Sequence, residues 1–452
     1  MQSSMRPPFG SPRGRFFFNR FDWNSRSTGL GIKDNTINMK AKIYRGTKEI
    51  GGTCVELTAN NGKILWIDLG LPLEDKTPNV DYANNKVDAL LISHPHQDHF
   101  GLMEKVGIKV PIYIGQLSLD LINATKIFTA NTPLNGNYKI VKPWKPFTIA
   151  DTFKVKAYLT DHSTPESFAF LIEADGKTIF YSGDFRATGR KKVVFEKLIE
   201  NPPPKIDFLF IEGTMIERTN HEFTTEESIE HRIYEICKKQ KNISYVISSA
   251  QNVDRFVSVF NACRKANKTL VIDIYSAWVL DMVAKVSVGI PKIEWKEIKV
   301  YPEPSQLKKL NDELFNAFKR RIEKQTTDDT VFSSPSEFVY FMRYPKLPLI
   351  KKLKRHGIIN IIYSQWEGYL KDENNYSTQI INPLRNDKGF IYTHIHTSGH
   401  AVVPDLMKFA KAINAKKIIP IHTAFPKKFK TEFEKKGFTN IELWDDGKEY
   451  QL

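Results

Sequence analysis

The chain has 452 residues, with 66 Lys and Arg against 51 Asp and Glu, and therefore a formal net charge of +15. This length favours two domains, and the basic balance suits a nucleic-acid partner, although basic drift in an ordinary enzyme explains the charge equally well. Three isolated cysteines exclude a disulfide framework, and no run reaches the roughly 20 apolar residues of a membrane helix. We therefore expect a cytoplasmic protein with no membrane contact.

Residues 1–38 are predicted to form a flexible basic arm, because proline, glycine and six Lys or Arg occur there without a sustained hydrophobic period. Three interpretations are open: an arm that contacts a nucleic-acid backbone, an organelle-targeting segment, or a leader that precedes a true start at Met39. Met39 runs directly into the first predicted strand, so no further prediction depends on the arm.

Short strands and turns alternate from residue 42 onward, and the third of these strands covers 64–68. Asp68 ends that strand. A metal-bound histidine usually needs an outer carboxylate partner, so Asp68 is expected to support a metal site from outside. A plain strand-end turn residue is the alternative.

A cluster of metal-binding residue types follows the apolar run 87–92, which reads as a buried strand. His94 and His96 flank one position in the loop at the end of this strand, while Asp98 and His99 face another. Zinc accepts imidazole nitrogen and carboxylate oxygen, and a catalytic site keeps one coordination position open. The loop therefore predicts two adjacent metal ions.

Hydrophobic periodicity predicts the remaining elements. We expect a parallel sheet covered by helices after the proline-rich linker 201–204, a core-facing apolar stripe over 306–323, and a loop over 365–388. Helices are predicted at 101–106, 117–130, 225–239, 253–265, 306–323 and 402–413, and strands at 43–44, 54–57, 64–68, 110–114, 153–159, 168–172, 178–182, 206–211, 244–248, 270–274, 358–363, 390–393 and 416–421.

The spacing His-x-His-x-Asp-His at 94–99, with the stretches 162–167 and 181–186, resembles the β-CASP branch of the metallo-β-lactamase superfamily, and most closely its ribonuclease J-like nucleases. The resemblance implies an α/β fold, in which a metallo-β-lactamase αββα sandwich is interrupted by an α/β β-CASP domain. The implied parts are the arm 1–38, the first part of the metallo-β-lactamase domain at 39–203, the β-CASP insert at 204–370, and the C-terminal part of the metallo-β-lactamase domain at 371–452.

The same resemblance implies seven metal ligands and two divalent ions, with zinc first and manganese as the alternative. Two metals about 3.5–4 Å apart can share a hydroxide, lower its pKa and stabilise an in-line phosphoryl displacement. The resemblance assigns one ion to His94, His96 and His162. It assigns the second ion to Asp98, His99 and His422, and Asp184 bridges the two.

Three further motifs of β-CASP nucleases match at Glu212, His400 and His422. By resemblance, His400 donates a proton to the leaving oxygen and Glu212 orients it, as in general acid catalysis by a positioned imidazole. Asp98, Glu212 and His400 are therefore the predicted catalytic residues. Because RNA-processing members tend to carry histidine at the third motif, His422 favours RNA over DNA.

His396, Ser398 and Gly399 lie in a turn before a predicted helix, where amides and a hydroxyl bind phosphate readily. The resemblance implies that this segment, through His396 and Ser398, lines a phosphate pocket near the reacting bond. Ser248 is a weaker candidate for a nucleic-acid contact, and a capped helix start is the competing explanation for 248–249.

These residues together predict a metal-dependent phosphodiesterase, a ribonuclease with exonuclease or endonuclease action, that hydrolyses single-stranded RNA by a two-metal-activated hydroxide. Alternatives are a DNA nuclease of the same fold, a non-catalytic nucleic-acid-binding protein, and a hydrolase of small esters or thioesters. Ribonuclease J proteins usually continue into a C-terminal assembly domain, whereas this chain ends at Leu452. The oligomeric state is therefore open, with a homodimer as one option.

Overall fold

The computed structural model describes residues 39–452, except 74–85, 108, 131, 133, 219–224, 240, 311–315 and 328–329. The predicted basic arm 1–38 lies outside the described residues, as does Leu314 of the apolar stripe. Among the helices in the described ranges, none combines the length and the apolar character that a membrane crossing requires.

Nineteen strands and thirteen α-helices lie in the part of the chain that the structure describes. The strands are β1 Lys40–Arg45, β2 Cys54–Thr58, β3 Ile64–Ile67, β4 Ala89–Leu91, β5 Pro111–Gly115, β6 Asn137–Val141, β7 Pro146–Ile149, β8 Phe153–Leu159, β9 Phe168–Ala174, β10 Lys177–Tyr181, β11 Phe208–Glu212, β12 Ile243–Ile247, β13 Thr269–Asp273, β14 Ile298–Tyr301, β15 Phe338–Met342, β16 Ile359–Tyr363, β17 Phe390–His394, β18 Lys417–Ile421 and β19 Glu449–Gln451. The helices are α1 Gln97–Phe100, α2 Gln116–Ala130, α3 Lys192–Glu200, α4 Glu226–Lys239, α5 Val253–Lys265, α6 Ile274–Val286, α7 Pro304–Leu307, α8 Asn316–Glu323, α9 Thr330–Ser333, α10 Leu347–Lys354, α11 Tyr376–Arg385, α12 Val403–Ile413 and α13 Pro426–Glu434.

Two of the three sheets pack face to face. Their strand orders are β19-β1-β2-β3-β4-β5-β6 and β18-β11-β10-β9-β8-β7. One buried apolar cluster joins their inner faces, with Ile43 and Leu65 from the first sheet and Phe170 and Phe210 from the second. Helices cover both outer faces, so the predicted αββα sandwich is confirmed.

The third sheet is parallel throughout, in the order β14-β13-β15-β12-β16-β17. Its central strands are buried along their whole length, as expected where helices cover both faces of a parallel sheet. By strand membership this sheet spans 243–394, whereas the predicted insert spans 204–370. Strand β11 lies in the second sheet, and β17 lies in the third.

Several local predictions need correction. Residues 365–388 are not a plain loop, because they contain α11, which Asn375 caps by accepting a hydrogen bond from the Ser377 amide. The described part of the predicted helix 306–323 is not a continuous α-helix, because a 3₁₀ turn at Lys308–Leu310 follows α7, although Leu310 and Phe318 are buried in the core as expected. The start of α5 is capped by Asn252, not by 248–249, through a bond from the Arg255 amide.

Candidate metal centre

The C-terminal ends of four strands bring the predicted ligands together. The loop after β4 carries His94 and His96, and the single turn of α1 carries Asp98 and His99. The other three ligands follow β8, β10 and β18, which are neighbours or near neighbours in the second sheet: His162, Asp184 and His422. All seven predicted ligand residues therefore meet at one edge of the sandwich. They form four overlapping groups, one of which also includes His400, and the ligand atoms within each group lie within 4.8 Å of one another.

The first group contains the three histidines predicted for one ion. His94 Nε2 and His162 Nε2 each lie 3.1 Å from His96 Nδ1. A tetrahedral zinc ion bonded to nitrogen at about 2.0–2.1 Å separates its ligand atoms by about 3.3 Å. The three nitrogens thus have the spacing that a shared cation requires.

Asp184 connects this group to the second one. Its Oδ2 lies 3.6 Å from His94 Nε2, 3.2 Å from His99 Nε2 and 3.9 Å from His422 Nε2. Asp98 Oδ2 in turn lies 3.6 Å from His422 Nε2. The position of Asp184 between the two groups fits a carboxylate that bridges two ions.

Several inward-facing atoms of this cluster fit a metal ion. His99 Nε2, Asp184 Oδ2 and His422 Nε2 are buried and make no hydrogen bond among the described residues. Buried polar atoms are nearly always satisfied, so three such atoms that face one another indicate a ligand. Nitrogen and carboxylate donors suit a divalent cation such as zinc.

The protonation of the histidines also suits metal binding, since a metal takes neutral imidazole. Burial lowers the pKa of His94, His162 and His422, and lowers that of His96 to about 4. His99 differs: burial opposes its charge, but the neighbouring carboxylates outweigh this effect and raise its pKa.

Outer partners fix the orientation of three ligand rings. Asp68 Oδ2 accepts hydrogen bonds from His99 Nδ1 at 2.8 Å and from the Tyr181 hydroxyl at 2.7 Å. The Thr53 hydroxyl lies 2.7 Å from His422 Nδ1. His162 Nδ1 donates to the carbonyl of Gly399 at 2.6 Å, which leaves its Nε2 for the centre.

Two of these residues hold strained backbone. Asp68 has φ 57° and His422 has φ 48°. This left-handed region is uncommon for residues other than glycine, and residues held there concentrate at functional sites. The sequence-based expectation that Asp68 supports the centre agrees with its contacts.

Replacing Asp68 by Asn is expected to weaken zinc binding about 10- to 100-fold, because outer partners of metal ligands usually contribute that much. Asp68 accepts through both carboxylate oxygens, Oδ2 from His99 Nδ1 and from the hydroxyls of Ser93 and Tyr181, and Oδ1 from the Ser93 amide. Asparagine has only one accepting oxygen and cannot serve both sides. Competition with a chelating dye measures the affinity. Asp88→Asn, at a surface pair with Lys63, is the matched control. Unchanged zinc affinity in the Asp68 variant would contradict this role.

Beside the ligands lies a histidine with its own carboxylate partner. Glu212 Oε2 lies 3.0 Å from His400 Nδ1, and Glu212 Oε1 accepts from the backbone amides of Phe185 and Ala401. Burial opposes protonation of His400, but Glu212 and Asp184 outweigh it, so the pKa of His400 is raised. The ring is therefore oriented through its Nδ1 by Glu212.

The predicted nucleic-acid contacts fall in different places. Ser398 and Gly399 directly precede His400, but each already serves the site: Ser398 Oγ accepts from the His400 amide, and the Gly399 carbonyl accepts from His162. His396 is part-exposed in the same segment. Ser248 is buried at the end of β12, and its hydroxyl donates to the Ser364 carbonyl at 3.3 Å.

A buried ionic network supports the segment before His400 through its backbone carbonyls. The sequence analysis did not predict this network. Glu226 Oε1 accepts from Arg186 Nη1 at 3.3 Å and from Arg255 Nη2 at 3.1 Å. The two arginines in turn donate to the carbonyls of Ser398 at 3.1 Å and Thr397 at 3.4 Å. Arg186 lies two residues after Asp184, which was the available sequence signal, but its partners are remote in the chain.

Comparisons with known proteins give two family matches. Residues 69–234 match the beta-lactamase superfamily domain, and residues 390–442 match the Zn-dependent metallo-hydrolase RNA specificity domain. Together these ranges contain all seven predicted ligands as well as Glu212 and His400.

Curated relatives extend the similarity over most of the chain. An RNase J-like protein of Methanocaldococcus jannaschii is 24% identical over 412 residues, which is 84% of this chain and 91% of the relative. A ribonuclease J of Mycoplasma pneumoniae is 24% identical over 85% of this chain and 67% of its own length.

The fold also recurs in a solved structure. A protein of unknown function from Enterococcus faecalis matches with a TM-score of 0.72 and 17% identity, covering 92% of this chain and 100% of that one. The family matches and these relatives support the β-CASP branch of the metallo-β-lactamase superfamily, and the chain is similar to ribonuclease J-like proteins.

Proposed function

We propose that this protein is a metal-dependent ribonuclease that hydrolyses phosphodiester bonds of single-stranded RNA. The observation that carries the proposal is the convergence of seven nitrogen and carboxylate donors next to the His400–Glu212 pair. We assign His94, His96 and His162 to one cation, Asp98, His99 and His422 to a second, and Asp184 to both.

Bound divalent cations, zinc first and manganese as the alternative, supply Lewis-acid stabilisation of the charge that develops on phosphoryl oxygens. The protein's own contribution is to hold the donors in place and to admit substrate. Asp98 and His400 keep 17% and 19% of their side chains exposed, whereas the ligands His94, His99 and His422 are fully enclosed. Substrate therefore enters on the side of Asp98 and His400.

The proton that the leaving oxygen needs comes from His400. Glu212 accepts from Nδ1–H, so in the protonated ring Nε2 carries the proton that can be given up. Glu212 and Asp184 raise the pKa of His400 despite its burial, which favours the protonated ring. Such a positioned acid typically contributes 10²–10⁴-fold to the rate.

Support for RNA comes from the match to an RNA specificity domain over 390–442, which includes His400 and His422. Relatives named ribonuclease J point the same way. We further propose that His396, Ser398 and Gly399 line a phosphate pocket, with Ser248 contributing less because its hydroxyl is buried. A cytoplasmic site of action is part of the same proposal, and the oligomeric state stays open, with a homodimer as one option.

The experiment that tests the substrate compares single-stranded RNA and DNA of one sequence, each end-labelled, with zinc or manganese added. We expect cleavage of RNA. Cleavage of DNA alone would assign the site to a DNA nuclease, and binding of either strand without cleavage would indicate a nucleic-acid-binding protein.

Replacing His400 by Ala is expected to lower the rate of RNA cleavage about 10²–10⁴-fold while leaving the zinc content unchanged, because His400 supplies a proton and is not assigned to a metal. A substrate whose leaving oxygen is replaced by sulfur needs no protonation, so its cleavage should fall much less. His356→Ala, at an exposed position, is the control. Equal losses on both substrates would contradict the acid role.

A further inference from the structure

Two exposed aromatic side chains stand in the short segment between β16 and α11. Trp366 is 38% exposed and Tyr369 is 49% exposed. Their ring centroids are 5.4 Å apart in an edge-to-face arrangement. Single exposed aromatic residues are common on protein surfaces, but here two rings meet at an interplanar angle of 82°, and each keeps exposed apolar area that a flat ligand can cover.

Arg218 completes this cluster from another part of the chain. Its guanidinium carbon lies 4.5 Å from the centroid of the Trp366 ring, within the range of a cation–π contact. Gly368 also fixes the indole: a Cβ there would come within 2.2 Å of ring atoms Cη2 and Cζ2. The orientation of the indole is therefore set before any ligand binds.

The cluster lies at the rim of the metal centre. Although the Tyr369 ring is partly exposed, desolvation at its hydroxyl end and the nearby Asp98 carboxylate both raise its pKa. Arg218 follows strand β11, which ends at Glu212, and lies close enough to Glu212 for the two charges to interact. The Gln365 carbonyl accepts from His394 Nε2 at 2.9 Å, which ties this segment to the chain that leads to His400.

We propose that Trp366, Tyr369 and Arg218 form a nucleobase-binding site that stacks one unpaired base of the RNA strand as its phosphodiester enters the metal centre. This inference rests on the proposed function and adds a contact to the base itself. Every base presents a flat π-face, so aromatic rings and a planar guanidinium hold single strands with little sequence preference. The guanidinium also matches the charge of the adjoining phosphate.

The test uses an abasic scan. Short single-stranded RNAs, each lacking the base at one position, are titrated by fluorescence anisotropy against the full-length His400→Ala protein, in which cleavage is slow. We expect one or two positions at which base removal weakens binding roughly 5- to 150-fold, the range of stacking on one aromatic side chain. Adding Trp366→Ala should weaken the intact RNA by a similar factor and abolish the difference between intact and abasic strands.

Two variants make the result specific. Trp366→Phe should restore most of the binding and of the abasic difference, because phenylalanine also stacks. Trp144→Ala is the matched control, since Trp144 is 44% exposed but packs on Tyr158, outside this cluster. If Trp366→Ala weakens intact and abasic strands equally, or leaves binding within two-fold of its starting value, the inference is wrong.

Failure of this inference and failure of the proposed function give different results. If the unmodified protein does not cleave RNA, the proposed function fails, whatever the binding data show. If it does cleave RNA while the abasic scan is flat, only the nucleobase site is refuted.

Discussion

Replacing Asp184 by Asn should lower RNA hydrolysis by on the order of 10³-fold or more, since metal-dependent charge stabilisation contributes several kcal/mol to such reactions. Replacing Asp184 changes the surroundings of four histidines at once, because its Oδ2 faces His94, His99, His400 and His422. Asparagine keeps the size of the side chain but removes the charge that two cations would share. Single-turnover cleavage of labelled RNA, with the metal content measured in parallel, gives the result.

The matched control for this prediction is Asp207→Asn. Asp207 lies just before strand β11 of the same sheet, where it pairs with Lys416 and accepts from the Thr178 amide. These partners are not predicted ligands, so Asp207→Asn should leave the cleavage rate near that of the unmodified protein. Asp184→Asn with full activity and full metal content would refute the bridging assignment.

Replacing Glu226 by Gln should lower the free energy of unfolding by about 3–5 kcal/mol, the cost of removing one partner from a buried ion pair. Glu226 is the carboxylate that Arg186 and Arg255 share, and all three side chains are fully buried. The neutral amide leaves Arg255 with carbonyl and hydroxyl partners from Ser364 and Thr397 but without its counter-charge. Urea denaturation measures the difference.

The same residue makes a pH-dependent contribution. Burial alone would raise the pKa of Glu226, but Arg255 and Arg186 outweigh it and lower the pKa to about 2. The stabilisation is therefore complete above the ordinary glutamate pKa of about 4.5 and is lost as pH falls from about 4.5 to about 2. The difference in stability between the unmodified protein and Glu226→Gln should shrink over this interval.

Glu432→Gln is the control for both measurements, because Glu432 pairs with Lys435 at the exposed surface of α13. Exposed pairs contribute little to stability, so its midpoint should not move. Glu226→Gln with unchanged stability would mean that the network does not hold the His400 segment.

The site was largely predictable because its chemistry lies in short motifs. Four of the seven predicted ligands occur within 94–99, and the others follow predicted strands, so the ends of neighbouring strands meet at one edge. The ionic network of Arg186, Glu226 and Arg255 was not predictable in this way. Its partners come from three separate elements, and a single sequence does not show which buried charges meet.

Helices were predictable where one face is buried, because hydrophobic residues then recur with helical spacing. They were not predictable where the helix is buried on several sides, because this spacing is then lost. The periodic stretch at 253–265 became α5 with its predicted bounds. In contrast, α6 follows β13 directly and is buried on several sides, so its apolar pattern has no clear helical stripe. The segment 365–388 looked like a loop because of its polar composition, yet it contains α11 and the exposed Trp366–Tyr369 pair.

The central claim is that the seven donor residues, Asp184 among them, hold two catalytic cations. The most direct test is titration of the metal-free protein with Zn²⁺, with bound metal per chain measured by mass spectrometry and RNA cleavage followed in the same samples. The account predicts tight binding that saturates at two ions per chain, with cleavage rising as the sites fill. Undiminished cleavage by the metal-free protein, or the absence of tight zinc and manganese binding, would contradict it.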